Sequence, residues 1–241
     1  MKRSTKLFLD ILMGAVIPIL ILNNLTGALG APMAYLLAAL VPVAWVFADL
    51  LVITRRFNVI TSYIGLSAIV RGALAFWFVD GALFALKDTA GQIVAALAFG
   101  VSAAAGWPLM RAFVAQGLAP DTPEREQGLG RLMDEPRVGR ALVAATLVMM
   151  AWSIVSGAAN FLLNLNIVTA PFGTEVFNQQ VAQVNAITRI ALLVPELAVF
   201  AGAFWLVFRA LYRTLPSEEG KPQLESDFWD LVRLRDEGAR A

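Results

Sequence analysis

The chain contains no cysteine and no histidine. That absence excludes disulfides, thiolate nucleophiles, the usual zinc and haem ligand sets, and any Ser-His or Cys-His catalytic arrangement. Charge is scarce as well. Only 15% of the 241 residues are Asp, Glu, Lys or Arg, against about 25% in an average soluble protein. Hydrophobic residues make up 59% and the mean hydropathy is +0.69, a balance that fits a water-soluble globule poorly. The formal charge of +1, from 19 basic and 18 acidic residues, carries no polyanion signal, so nucleic acid is not an expected partner. Neither G-x-x-x-x-G-K-[ST] nor G-x-G-x-x-G occurs, and no acidic pair is spaced for hydrolysis. The sequence therefore points to no enzyme and no cofactor.

What is present is a series of long apolar stretches. A hydrocarbon core of about 30 Å needs roughly 20 apolar helical residues, because only a helix satisfies its own backbone in lipid. Six stretches meet that length: 7–25, 33–53, 59–79, 89–107, 141–163 and 186–206. They predict an all-α polytopic membrane protein with six transmembrane helices. The connections alternate in charge. Lys2, Arg3 and Lys6 at the amino end, Arg55 and Arg56, then Arg111, Arg125, Arg131, Arg137 and Arg140 fall on one side. The alternate connections, 23–32, 80–88 and 164–185, hold only Lys87. The positive-inside rule makes the basic side cytoplasmic. The tail, with Arg209, Arg213, Lys221, Arg233, Arg235 and Arg240, shares that side, as an even number of crossings requires. The expected topology places both termini in the cytoplasm. The alternative takes residues 1–30 as a cleaved signal peptide ending near Ala28-Leu29-Gly30. Asp10 and the length of the apolar run argue against it.

Residues 1–215, with a cytoplasmic loop at 110–140, form the expected membrane domain, and 216–241 a cytoplasmic tail. In the loop, Thr122 as N-cap, Pro123 in the first turn, and Glu124 and Glu126 near the positive helix end predict a short helix. In the tail, Leu224, Phe228, Leu231 and Leu234 recur at helical spacing beside Asp227, Asp230, Arg233 and Arg235. That pattern predicts an amphipathic helix lying on the membrane surface or the loop, with partner docking as the alternative.

Ionisable residues within apolar helices cost a few kcal/mol on insertion scales and are functional candidates by default. Asp10 and Asp49 lie about one turn from cytoplasmic ends, beside Lys6, Arg55 and Arg56, where local charge pairing is expected. Arg71, counted back from Asp80, falls about 13 Å below the outer surface and needs a partner. Lys87 and Asp88 open the fourth stretch, and Arg189 and Glu196, seven residues apart, share a face of the sixth. The expectation is an outer-half cluster of Arg71, Lys87, Asp88, Arg189 and Glu196, with Asn160 and Gln92 adding hydrogen bonds. Two readings stand: a buried ion-pair network that sets helix register, or a site that binds or moves something. Pro195, beside Glu196, frees a backbone carbonyl one turn earlier and bends the helix.

Ala96, Gly100 and Ala104, and Ser153 and Gly157, read as close helix packing, with a homo-oligomer face as the alternative. Residues 68–74, AIVRGAL, and 186–192, AITRIAL, match at five positions. A three-plus-three division would make them an inverted repeat of the transporter kind, although the other helix pairs show no such echo.

Three short stretches carry a family resemblance. Asp80, Lys87 and Thr89 form Asp-x6-Lys-x-Thr; Pro108, Leu109 and Arg111 form Pro-Leu-x-Arg; Gly157 and Asn160 form Gly-x-x-Asn. With the order of the apolar stretches over residues 7–213, these resemble the intracellular septation protein A superfamily, especially its larger bacterial relatives. Ala85 stands where that family often has another lysine and Asp88 where it often has proline. The loop and tail are also longer here. The resemblance implies an inner-membrane envelope protein associated with cell-envelope synthesis and septation, without an established reaction. Expected partners are then the lipid bilayer and envelope or division proteins. The expected function is non-enzymatic, structural or partner-binding. The alternative is a small-solute or ion transporter using the Arg/Glu cluster, and a lipid-modifying enzyme stands third.

Overall fold

The computed structural model describes residues 9, 12–53, 59–217 and 226–238. Among the described residues the protein is all-α, with no strand. Twelve helices follow in chain order: α1 Ile17–Asn24, α2 Thr26–Leu29, α3 Ala31–Ala48, α4 Val59–Ala75, α5 Gly81–Asp88, α6 Ala90–Ala104, α7 Met110–Leu118, α8 Pro123–Met133, α9 Pro136–Ile167, α10 Glu175–Ala191, α11 Leu193–Thr214 and α12 Phe228–Gly238. Single π-helical turns, Leu12–Val16 and Asp49–Ile53, precede α1 and follow α3.

Among the described residues three helices are long and apolar enough to cross a membrane: Ala31–Ile53, Pro136–Ile167 and Glu175–Thr214. The pair α5 and α6, bent by 47°, makes a fourth if taken as one broken span. Within the expected third crossing the described side chains form a shorter apolar helix, Gly65–Ala75. The expected first crossing begins in residues outside those described, as do Asp10, Lys6, Arg55 and Arg56. Length and composition among the described residues thus support three or four spans, fewer than the six expected from hydropathy. Leu97, Val101, Ile154, Val155, Leu162, Ile190, Val194 and Leu197 are all exposed. A soluble monomer rarely shows so much apolar surface, and lipid-facing helices are compatible with it.

The connections expected at 80–88 and 164–185 are largely helical. Asp80 is extended (φ −126°, ψ −176°) and Gly81 takes φ +55°, so the chain turns sharply into α5. At α10 the Thr174 hydroxyl accepts from the Phe177 N–H at 3.1 Å and Glu175 occupies the first turn. Phe177, Val181 and Val184 are buried while Gln179 and Gln183 are exposed. An amphipathic helix of this kind has low mean hydropathy and reads as a connection.

The chain forms two compact units, Met1–Ala95 with Ser153–Glu196, and Ala96–Trp152 with Leu197–Ala241. The first is built around Leu22, Tyr35, Ala38, Phe84, Val168, Phe177 and Val181. Tyr35, Phe84 and Phe177 meet edge to face, with centroids 5.0–6.3 Å apart. Asn178, fully buried on α10, donates to the Thr26 hydroxyl and the Ala31 carbonyl, both at 2.9 Å, tying α10 to the start of α3.

The second unit contains the predicted loop and tail helices. The Thr122 hydroxyl accepts from the Arg125 N–H at 3.3 Å at the start of α8. The Asp227 carboxylate accepts from the Trp229 and Asp230 N–H groups at the start of α12. The apolar side of α12, Phe228, Leu231 and Val232, is buried, and a Cβ at Gly128 of α8 would lie 2.9 Å from Val232. The tail helix therefore packs on the loop helix. Leu224 lies outside the described residues.

Candidate solute-binding cleft

The site belongs wholly to the first unit. A cleft of about 280 Å³ is lined by Arg71 from α4, Lys87 and Asp88 from α5, Gln92 from α6, Asn160 from α9, Asn185, Thr188 and Arg189 from α10, and Glu196 from α11. Every residue expected in the polar cluster reaches this one cleft.

Arg71 is exposed and lies four residues before the end of α4, about 6 Å along the helix axis. The expected depth of 13 Å assumed helix as far as Asp80, but residues 77–80 are not helical. Arg71 therefore sits nearer the helix end. Its guanidinium lies against Gly91, where a Cβ would fall 2.9 Å from Nε, so a side chain there would push the guanidinium aside. It makes no hydrogen bond or ion pair with a described residue.

Lys87, expected in the polar cluster at the opening of the fourth stretch, is 7% exposed. Its ammonium donates to the Trp77 carbonyl at 2.6 Å and lies 4.7 Å from the centre of the Tyr35 ring. Asp88 is bound by amides. Asn160 Nδ2 donates to its Oδ2 at 3.1 Å and Asn164 Nδ2 at 2.9 Å. Gly157, one turn before Asn160, brings α9 close to this corner: a Cβ there would lie 3.1 Å from Gln92 Cβ and 3.4 Å from Thr89 Cγ2. The Arg189 guanidinium donates to the Gly14 carbonyl. Glu196 is exposed, and Arg71 acts on it as an attractive charge and on Arg189 as a repulsive one.

The ion-pair network considered from sequence is not what forms. Among the described residues, no basic group lies within 4 Å of the Asp88 or Glu196 carboxylate. Opposite charges line one cleft without closing on each other. Gln92 Oε1 is buried without a hydrogen-bond partner, in place of the bond expected of it.

Sequence reasoning missed Asn164, Gly91, Asn185, Thr188 and Tyr35. Asn164 carried a usable signal, because Ser156, Asn160 and Asn164, all buried, recur at helical spacing along α9. The other four become visible only when the helices meet. Among the described residues no three His, Cys, Asp or Glu side chains converge as a metal site. Comparison with protein-family models, with curated proteins and with solved structures finds no match.

Proposed function

We propose that this chain is an integral protein of a bacterial inner membrane that crosses it six times, keeps both ends cytoplasmic, and binds and passes a small solute through the first-unit cleft. The reading is non-enzymatic. One observation carries it: a cleft of about 280 Å³ reaches Arg71, Arg189 and Glu196, whose charges are not spent on ion pairs with one another. Intramembrane ionisable groups generally pair or face a water-filled cavity, and the second arrangement is the one expected of a solute path. The matching stretches around Arg71 and Arg189 bring their arginines to the same cleft, as opposed repeats would.

Uptake by proteoliposomes tests this. Arg71→Ala and Glu196→Ala are each expected to cut solute flux about tenfold or more while leaving the detergent-solubilised fold intact. Full flux in both variants overturns the reading. Reporter fusions should place Arg125 inside and Asn166 outside, and the reverse result removes the six-crossing topology.

A second reading is a septation-protein-A-like envelope protein acting through partners. It draws support from the way Thr89 and the Gly-x-x-Asn stretch, both carrying that resemblance, meet at Asp88 and Gln92. It predicts that deletion of residues 224–241 disperses a fluorescent fusion from the division site, whereas Arg71→Ala does not. Packing of α12 on α8 leaves mainly the charged side of the tail helix for a partner.

A further inference from the structure

Building on the solute-binding reading, we infer that the cleft's ligand is a small, singly charged organic acid bearing an apolar group no larger than benzene. Charge sets the head. Arg71, Lys87 and Arg189 contribute three positive charges to the lining, and Asp88 and Glu196 two negative ones, so one negative charge balances it. Availability then selects the anchor. Lys87 already donates to Trp77, Arg189 to Gly14, and Asp88 is bound by Asn160 and Asn164. Among the described residues Arg71 alone of the three cations donates no hydrogen bond, and its guanidinium rests against Gly91. A planar guanidinium presents a fork that matches a carboxylate.

The apolar group has its own place. A second cleft of about 140 Å³ shares Tyr35, Arg71, Asp88, Asn185 and Arg189 with the first and continues between Ile19, Leu22, Ala38, Pro42 and Val181. The whole of this space, its shared polar rim included, is close to the apolar cavity of about 150 Å³ that holds benzene in another protein, so benzene is the upper limit of size. An acid seated on Arg71 would extend its ring or short alkyl chain into this space.

The test uses the full chain in phosphatidylcholine nanodiscs, with binding followed by calorimetry. Benzoate and hexanoate should bind, acetate about tenfold more weakly for want of the apolar part, and benzylammonium and benzyl alcohol not at all. Arg71→Ala should weaken benzoate binding about tenfold or more. Gly91→Ala should do the same with the charge retained, because the new Cβ displaces the guanidinium. Arg71→Lys should fall between, having the charge without the fork. If a variant fails to fold, the acetate, benzoate and benzylammonium series on the unaltered chain decides alone.

Benzylammonium binding as tightly as benzoate, or benzoate binding that ignores Arg71, overturns the inference. So does phosphatidylglycerol in the nanodisc raising the melting temperature while benzoate does not bind, since the headgroup would then be the ligand. Benzoate binding without flux in proteoliposomes removes the transport reading and leaves the inference standing. Arg71-dependent flux of another solute, with no benzoate binding, does the reverse.

Discussion

The two units treat charge in opposite ways. In the second, basic side chains of the loop and tail find acids: Arg111 meets Asp134 at 2.6 Å, Arg125 meets Asp121 at 2.7 Å, Arg131 meets Asp236 at 2.5 Å, and Arg235 meets Glu135. In the first, three basic and two acidic side chains line one cleft and no such pair closes. Long side chains in water drift onto opposite charges for a gain of about 0–1 kcal/mol each, so the second unit shows what happens when nothing competes. The first unit shows a competing demand. Neutral amides hold the Asp88 carboxylate, which engages one of the two cleft anions that could otherwise meet the guanidinium groups. Counting ion pairs would rank the second unit as the better organised, but its pairs report solvation, whereas the first leaves its charges facing a cleft.

The largest effect that could break this contrast is at Asp88. Asp88→Ala removes the carboxylate that Asn160 and Asn164 share, leaving Asn160 only the Asp88 carbonyl at 3.4 Å and Asn164 the Asn160 carbonyl at 2.9 Å. A loss of about 1–3 kcal/mol is expected, read as a lower melting temperature in nanodiscs. Asp88→Asn keeps an acceptor oxygen and should lose less than half as much. If Asp88→Ala melts like the parent chain, the amides do not hold α5 against α9 and the contrast rests on geometry alone.

The cleft residues were largely legible because charge is rare in an apolar chain, so Arg71, Arg189 and Glu196 stand out by residue type. Their arrangement was not. An arginine deep in lipid leads one to expect a carboxylate partner, whereas Asp88 is held by Asn160 and Asn164 through a meeting of α5 and α9 that no local pattern encodes. Asn164 lay just beyond the apolar window ending at Leu163, although α9 runs on to Ile167. The start of α8 was readable residue by residue, because an N-cap acts within one turn: Thr122 accepts from Arg125 as its position implies. Hydropathy sees composition averaged over about 20 residues. It therefore passes over the polar-faced α10 and cannot detect the bend between Asp88 and Ala90.

A smaller effect sharpens the other side of the comparison. Arg131→Ala with Arg235→Ala removes two links between the tail helix and the loop within the second unit. The partners are partly solvated, so the expected cost is about 1–2 kcal/mol in total at low salt, fading as ionic strength rises. Protease cleavage of the tail should quicken in the double variant at low salt, and the parent should approach that rate at high salt. Equal cleavage at every salt concentration would mean that Phe228, Leu231 and Val232 hold the tail without help from charge.

The smallest effect is at Asp121, where the pair with Arg125 is open to solvent. The hydrogen bond from Arg125 holds the Asp121 carboxyl below the usual range for aspartate. A depressed value means that the folded state favours the charged form. The contribution is complete above the unfolded value of about 3.9 and is lost as pH falls through the lower folded value. Asp121→Asn should therefore differ slightly from the parent near neutral pH and converge with it in strong acid. Parent and variant melts that stay a fixed distance apart from about pH 6 to about pH 2 would show that Asp121 acts there through its shape at the entrance to α8 and not through its charge. In that case even this second-unit pair is incidental to stability, and its charges would resemble those of the cleft in contributing little to one another.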